Sequence, residues 1–157
     1  MCSKKGFTII ELVIVIAVVA ILAAVLLPTF TFIIDGANRS TELEEAMTAM
    51  NLISMTEDGN LDGTYYVVAP NYLFEYDADD GLVDKKPKNY KDAKTTRDAV
   101  IDKCLEKQPE GKNVVYYAKS VEDAKAILGT KYVEGTSVVI ENEDITDKLL
   151  IIGFKAE

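Results

Sequence analysis

Sixteen consecutive residues, Leu12 to Leu27, carry no polar side chain, and the run stays uncharged to Ile34. As a helix rising about 1.5 Å per residue, those 23 residues reach about 35 Å, enough to cross a hydrocarbon core of about 30 Å. Pro28 lies inside the run, where it removes one backbone hydrogen bond and predicts a kink. The pattern then changes. Over 37–56, Leu43, Met47, Met50 and Ile53 recur at three- and four-residue spacing, with Glu42, Glu44, Glu45 and Asn51 on other faces. This predicts an amphipathic continuation of one long helix, its methionines serving as core filler.

The cluster Glu57 to Gly63 ends the helix, and Tyr65 to Tyr76 reads as β-prone and aromatic, interrupted at Pro70. Residues 77–92 are charged and loop-like. A short helix is predicted within 93–107, stopped by Pro109 and Gly111. Val114 to Ala118 reads as a strand, and Ser120 to Leu128 as a helix capped by Ser120 with Asp123 three residues on. Tyr132 to Glu141 and Lys148 to Lys155 read as two strands joined by a turn at 142–147. The expected fold is α+β: a long N-terminal helix, half membrane-spanning and half amphipathic, packed on a C-terminal antiparallel β-sheet with short helical insertions.

Charge sharpens the picture at both ends of the apolar run. Lys4 and Lys5 precede it, and Asp35, Glu42, Glu44 and Glu45 follow it, which predicts a single pass with the N-terminus inside. A secretory signal cut near Ala23-Ala24 is the bland alternative, but the apolar run continues well past those alanines. A lipoprotein fits poorly, because Cys2 precedes the apolar region. The chain of 157 residues has a net charge of −9, and its acidity disfavours nucleic acid as a partner of the globular part. Histidine is absent, which removes the commonest general base and metal ligand, so no enzymatic activity is expected.

Candidate chemistry in the globular part is sparse. Asp58, Asn60, Asp62 and Gly63 match the first half of a calcium loop, but Ala69 stands where the bidentate glutamate belongs. Turn formation explains the same residues without metal. Asp77, Asp79 and Asp80 repeat the idea more weakly. Lys85 to Arg97 holds five lysines and an arginine around Tyr90, with Asp84, Asp92 and Asp98 interspersed, as in a solvated loop. Cys104 falls on the apolar stripe of its helix and reads as filler. No cofactor is expected.

Glu11 interrupts an otherwise apolar segment, and a carboxylate in a membrane span demands a role. Lys4-Lys5-Gly6-Phe7-Thr8-Ile9-Ile10-Glu11-Leu12, followed by the long apolar run with Pro28 near its end, resembles the N-terminus of type IV pilins and type II secretion pseudopilins. The resemblance covers residues 4–34. It implies that prepilin peptidase cuts between Gly6 and Phe7 on the cytoplasmic face and that Phe7 is N-methylated. Thr8, Glu11 and Pro28 match the family's assembly positions. Loss of residues 1–6 would leave 15 basic and 26 acidic residues and Cys104 as the lone cysteine, so the C-terminal disulfide of many Gram-negative pilins is excluded.

Cleavage would free an amine at Phe7, four residues from Glu11 on the same helix face. In stacked subunits, Glu11 of one copy can reach the Phe7 amine of another. A buried ion pair adds little adhesion over an apolar contact but heavily penalises wrong registers. The implied organisation is a leader (1–6), a hydrophobic transmembrane and polymerisation helix (7–34), its amphipathic continuation (35–56) and an acidic head (57–157). The implied partners are sister pilin subunits, prepilin peptidase and a membrane assembly platform with its ATPase. The expected function is that of a structural subunit of a type IV pilus-like filament, moving from the cytoplasmic membrane to the cell surface. A pseudopilin of type II secretion or of competence (DNA uptake) shares the same signal. From another class, a membrane-anchored binding protein that never polymerises is the alternative.

Overall fold

A computed structural model describes residues 6–57, 63–77, 81–82, 88–89 and 96–156. The chain divides into two compact units, Met1–Asn38 and Arg39–Glu157. The first helix, α1 (Ile9–Thr56, 48 residues), has Pro28 inside it.

In the first unit nothing covers the helix. Every large apolar side chain from Ile9 to Ile34 is at least half exposed. An 18-residue window of α1 has a mean hydropathy of 3.3, so the helix is long and apolar enough to cross a membrane. Two hydroxyls inside the apolar run are satisfied by the helix itself. Thr29 Oγ1 donates to the Val25 carbonyl at 2.9 Å and Thr31 Oγ1 to the Pro28 carbonyl at 2.9 Å. Such back-bonding hides a polar group from an apolar surrounding.

The second unit is built on a sheet of seven strands: β1 (Thr64–Val68), β2 (Tyr72–Asp77), β3 (Gly81–Leu82), β4 (Lys88–Asn89), β5 (Lys112–Ala118), β6 (Val138–Glu141) and β7 (Leu150–Ala156). The order is β3-β2-β1-β7-β5-β6, with β4 also pairing β2. Two further helices, α2 (Arg97–Glu106) and α3 (Val121–Leu128), complete it. Alternation along the strands sends side chains to both faces, and both faces are buried. Tyr65, Val67, Phe74, Val115, Tyr117 and Ile151 pack with Ala46, Ala49, Met50 and Ile53 of α1. On the opposite face, Tyr66, Val68, Tyr116, Leu150, Ile152 and Phe154 pack with Val100, Ile101 and Cys104 of α2 and Ala124, Ile127 and Leu128 of α3. Burial on both sides is why β1 and β7 read as continuous apolar runs. The α+β class holds, with helices on two faces of the sheet.

Three expectations need correction. The sheet is not purely antiparallel: β6 does not pair with β7 but lies parallel to β5, across α3. β7 instead inserts between β1 and β5, antiparallel to both. The 142–147 segment is therefore no hairpin turn, and Ile145 within it is 1% exposed and anchors the loop in the core. The predicted strand 132–141 shrinks to 138–141, because the Ser137 N–H bonds the Val133 carbonyl at 2.9 Å around Gly135, whose φ is +85°. On α1, Met47 is half exposed and Glu42, expected outside, is buried. The real stripe is Glu42, Ala46, Ala49, Met50 and Ile53.

The buried Glu42 has a local reason. Pro70 and Asn71 turn β1 into β2, and the turn closes with the Ala69 N–H on the Tyr72 carbonyl at 3.0 Å. The Asn71 backbone N–H then donates to Glu42 Oε2 at 3.0 Å, and its side-chain amide donates to Oε1. One carboxylate thus holds the hairpin turn against α1. At the other end, Glu57 accepts a bond from the Tyr117 hydroxyl at 3.3 Å and pairs with Lys155.

Candidate assembly and processing site

The sequence Thr8-Ile9-Ile10-Glu11 has the spacing of a helix-capping box, and the structure forms it. Thr8 precedes the first helical residue, Ile9. Its backbone N–H donates to Glu11 Oε2 at 2.8 Å, and its hydroxyl donates to the same oxygen at 2.7 Å. In return the Glu11 N–H donates to Thr8 Oγ1 at 3.3 Å, and the Leu12 N–H donates to the Thr8 carbonyl at 3.2 Å. The carboxylate also lies at the positive end of the helix dipole. Sequence reasoning placed Thr8 and Glu11 in one site but missed their mutual bonding, although the T-x-x-E spacing carries that signal.

Gly6 and Phe7 lie just before the helix in exposed chain without regular structure, with Phe7 88% exposed. A Cβ built at Gly6 meets nothing within 4 Å. Among the described residues, nothing therefore requires glycine there. Lys4 and Lys5 lie outside the described residues, as do the calcium candidates Asp58, Asn60 and Asp62, Asp79 and Asp80, and most of the 85–95 basic stretch. Ala69 directly follows β1 and is fully buried. Among the described residues, no group of three or more metal-binding side chains comes together.

In the head, Cys104 sits on the sheet-facing side of α2, 2% exposed. A groove of about 390 Å³ runs beside it, floored by Tyr66, Leu73 and Val100 and rimmed by Glu75, Lys103 and Lys107. Lys107 lies 5.5 Å above the Tyr66 ring and 3.8 Å from Glu75. Burial pushes the Tyr66 hydroxyl pKa up, with the Glu75 charge adding to it.

The prokaryotic N-terminal methylation motif matches residues 1–27. The match spans 27 of the 157 residues. The match supports the type IV pilin-like and pseudopilin family, whose members are structural and not enzymatic. No curated protein and no solved structure matches the chain. Together, the motif and the exposed apolar helix fit a membrane-anchored protein of pilin type.

Proposed function

We propose that the chain is a structural subunit of a type IV pilus-like filament, assembled through the apolar part of α1. The observation that carries this reading is a methylation motif leading straight into a helix whose apolar residues from Ile9 to Ile34 are uncovered all round. An apolar surface of that extent requires lipid or other helices around it. A subunit stored in the membrane and then packed against its copies exchanges one for the other.

In this reading prepilin peptidase removes residues 1–6 and Phe7 becomes the methylated N-terminus. Gly6 fits that role, because among the described residues no contact excludes a side chain there. The subunit spans the cytoplasmic membrane with its N-terminus inside until it is extracted. The head, residues 57–157 together with the amphipathic 35–56, forms the acidic exterior of the fibre. Partners are sister subunits and the membrane platform with its ATPase. The Glu11 carboxylate accepts the Phe7 amine of a neighbouring copy and fixes the axial register.

The test has two arms. N-terminal mass spectrometry of the mature protein is expected to find methylated Phe7, and a start at Met1 or beyond Ala23 would refute the reading. Electron microscopy is expected to find long surface fibres that disappear when the chain is deleted. Processing at Phe7 without such fibres would instead indicate a pseudopilin of secretion or DNA uptake. Unprocessed protein would indicate a membrane-anchored binding protein.

A further inference from the structure

We propose that the groove beside α2 is a binding site for a small zwitterion with an apolar side chain, of the class of the apolar α-amino acids. The site lies wholly in the head and stands whether or not the chain polymerises. Its walls follow from the strand and helix periodicities that meet there. Tyr66 of β1 pairs with Glu75 of β2, and Leu73 lies two residues from Glu75 on the same face of the sheet. From α2, Val100 and Cys104 pack on that face, while Lys103 and Lys107, also four residues apart, line the opening. The space between is about 390 Å³, within the range of small-molecule sites.

The rim sets Lys103 and Lys107 against Glu75 and Glu106, so its charges balance. A net anion gains from one pair and loses to the other, and so does a net cation. A zwitterion gains from both. In an α-amino acid a single carbon separates ammonium from carboxylate, so the groups that receive them must be neighbours. Lys107 Nζ and Glu75 Oε2 are neighbours, 3.8 Å apart. Both side chains are exposed enough that their own pairing is weak and opens at little cost. Lys103 and Glu106 make no ion pair among the described residues.

Tyr66 supplies the fixed point. It is 4% exposed yet lines the groove, and Phe154 holds its ring edge-on at 6.1 Å between centroids. Among the described residues its hydroxyl donates to no acceptor. Burial keeps that proton in place at neutral pH. A buried donor without an acceptor is costly, and a ligand carboxylate supplies one. With its carboxylate on the Tyr66 hydroxyl and Lys107 and its ammonium on Glu75, an amino acid lays its side chain on Leu73, Val100 and Cys104. These three are buried and apolar, so a polar side chain there would lose water without a partner.

The test is equilibrium dialysis of L-phenylalanine, L-leucine and L-methionine against the full chain in lipid nanodiscs, with empty nanodiscs as background. Saturable binding of at least one is expected, with a Kd at or below about 1 mM. Its N-acetyl form lacks the ammonium and its amide form lacks the carboxylate, and each is expected to bind about tenfold more weakly. Tyr66→Phe removes only the hydroxyl and is expected to weaken binding about tenfold, the scale of one hydrogen bond to a charged group. Lys103→Gln alters an exposed side chain, so it is expected to weaken binding while leaving the Tm of the unliganded protein unchanged. Absence of saturable binding for all three amino acids would overturn the site. Equal binding of the amino acid and both capped forms would overturn the zwitterion assignment. Undiminished binding by both Tyr66→Phe and Lys103→Gln would place the ligand elsewhere and overturn the proposal as well.

Discussion

Gly153 in β7 offers the sharpest test of how the head is packed, and the prediction is that Gly153→Ala destabilises it. The residue pairs with Tyr65 of β1 on one side and Val115 of β5 on the other. A Cβ there would lie 2.6 Å and 2.8 Å from two carbons of the Tyr65 ring and 3.2 Å from the Tyr117 ring. Carbon atoms pack at about 3.5–4.0 Å, so the Tyr65 ring would have to retreat by about 1 Å. It has nowhere to go, because Tyr65 and Tyr117 are each 1% exposed. Tyr117 is further held by its bond to Glu57 and by Lys155, 5.7 Å above its ring. Overpacking of this kind costs about 1–3 kcal/mol. Against it, alanine restricts the unfolded chain and returns about 0.4–1 kcal/mol. The net loss is about 1–2 kcal/mol, or roughly 2–8 °C in Tm for a chain of this size. The assay is thermal unfolding of the full chain in detergent, followed by near-ultraviolet circular dichroism of the tyrosines. A double-mutant cycle isolates the cause: in a Tyr65→Leu background, adding Gly153→Ala is expected to cost almost nothing. An unchanged or raised Tm for Gly153→Ala in the wild-type background would show that the tyrosines do not confine this position.

Three further outcomes are expected. Glu42→Ala leaves the two Asn71 donors without their carboxylate and is expected to cost about 1–3 kcal/mol in the same assay; wild-type stability would show that the turn finds other partners. Burial raises the hydroxyl pKa of Tyr66, Tyr116 and Tyr117 above the ordinary 10.0. The unfolded chain then loses protons near pH 10 while the folded head keeps them, so stability is full below pH 10 and falls as pH rises beyond it. An alkaline titration is expected to show a share of the tyrosinate absorbance appearing only with cooperative unfolding, whereas ionisation of all eight tyrosines near pH 10 in a still folded head would contradict the burial effect. Gly6→Val is expected to fold and insert normally but to retain the leader, and a mature terminus still at Phe7 would disprove the cleavage assignment.

The elements with strong local chemistry were legible in the sequence, and the pairings between distant elements were not. The Ser120 cap is one example: its hydroxyl accepts the Asp123 N–H at 3.2 Å, as its spacing predicts. The Pro70 interruption likewise marked the turn between β1 and β2. The order of strands was hidden because β7 belongs between β1 and β5 by its two-sided burial, which neighbours in sequence do not encode. Even the start of α3 depends on a distant strand, since the Val121 N–H donates to Glu141 Oε1 of β6 at 2.8 Å. Glu42 misled for a related reason. A carboxylate at that position reads as solvent-facing until the hairpin turn brings Asn71 to meet it. At the N-terminus, by contrast, the Thr8–Glu11 cap lies within four residues, so its T-x-x-E spacing is readable without the fold.

That locality bears on how a helix of this kind can carry register at all. From Leu12 to Leu27 the side chains are uniformly apolar and exposed around the whole circumference. Such a surface adheres to lipid or to other helices equally well at many rotations and offsets, since dispersion and apolar burial have no direction. Direction requires polar groups with unmet capacity. Thr29 and Thr31 have spent their hydroxyl protons on their own backbone, at Val25 and Pro28, and offer little to a neighbour. The cap at Thr8 and Glu11 is different, because it uses one oxygen of a charged group and leaves the other unbonded among the described residues. In the filament reading, adhesion is therefore spread over about 35 Å of helix while the choice of offset rests on a single oxygen. Shortening the apolar run by one turn should then weaken fibres without changing their axial repeat. Moving the cap by one turn should shift the repeat by about 5.4 Å, the pitch of the helix. Helical reconstruction of fibres from the two variants distinguishes them, and an unchanged repeat in the second would place the register elsewhere, in the heads.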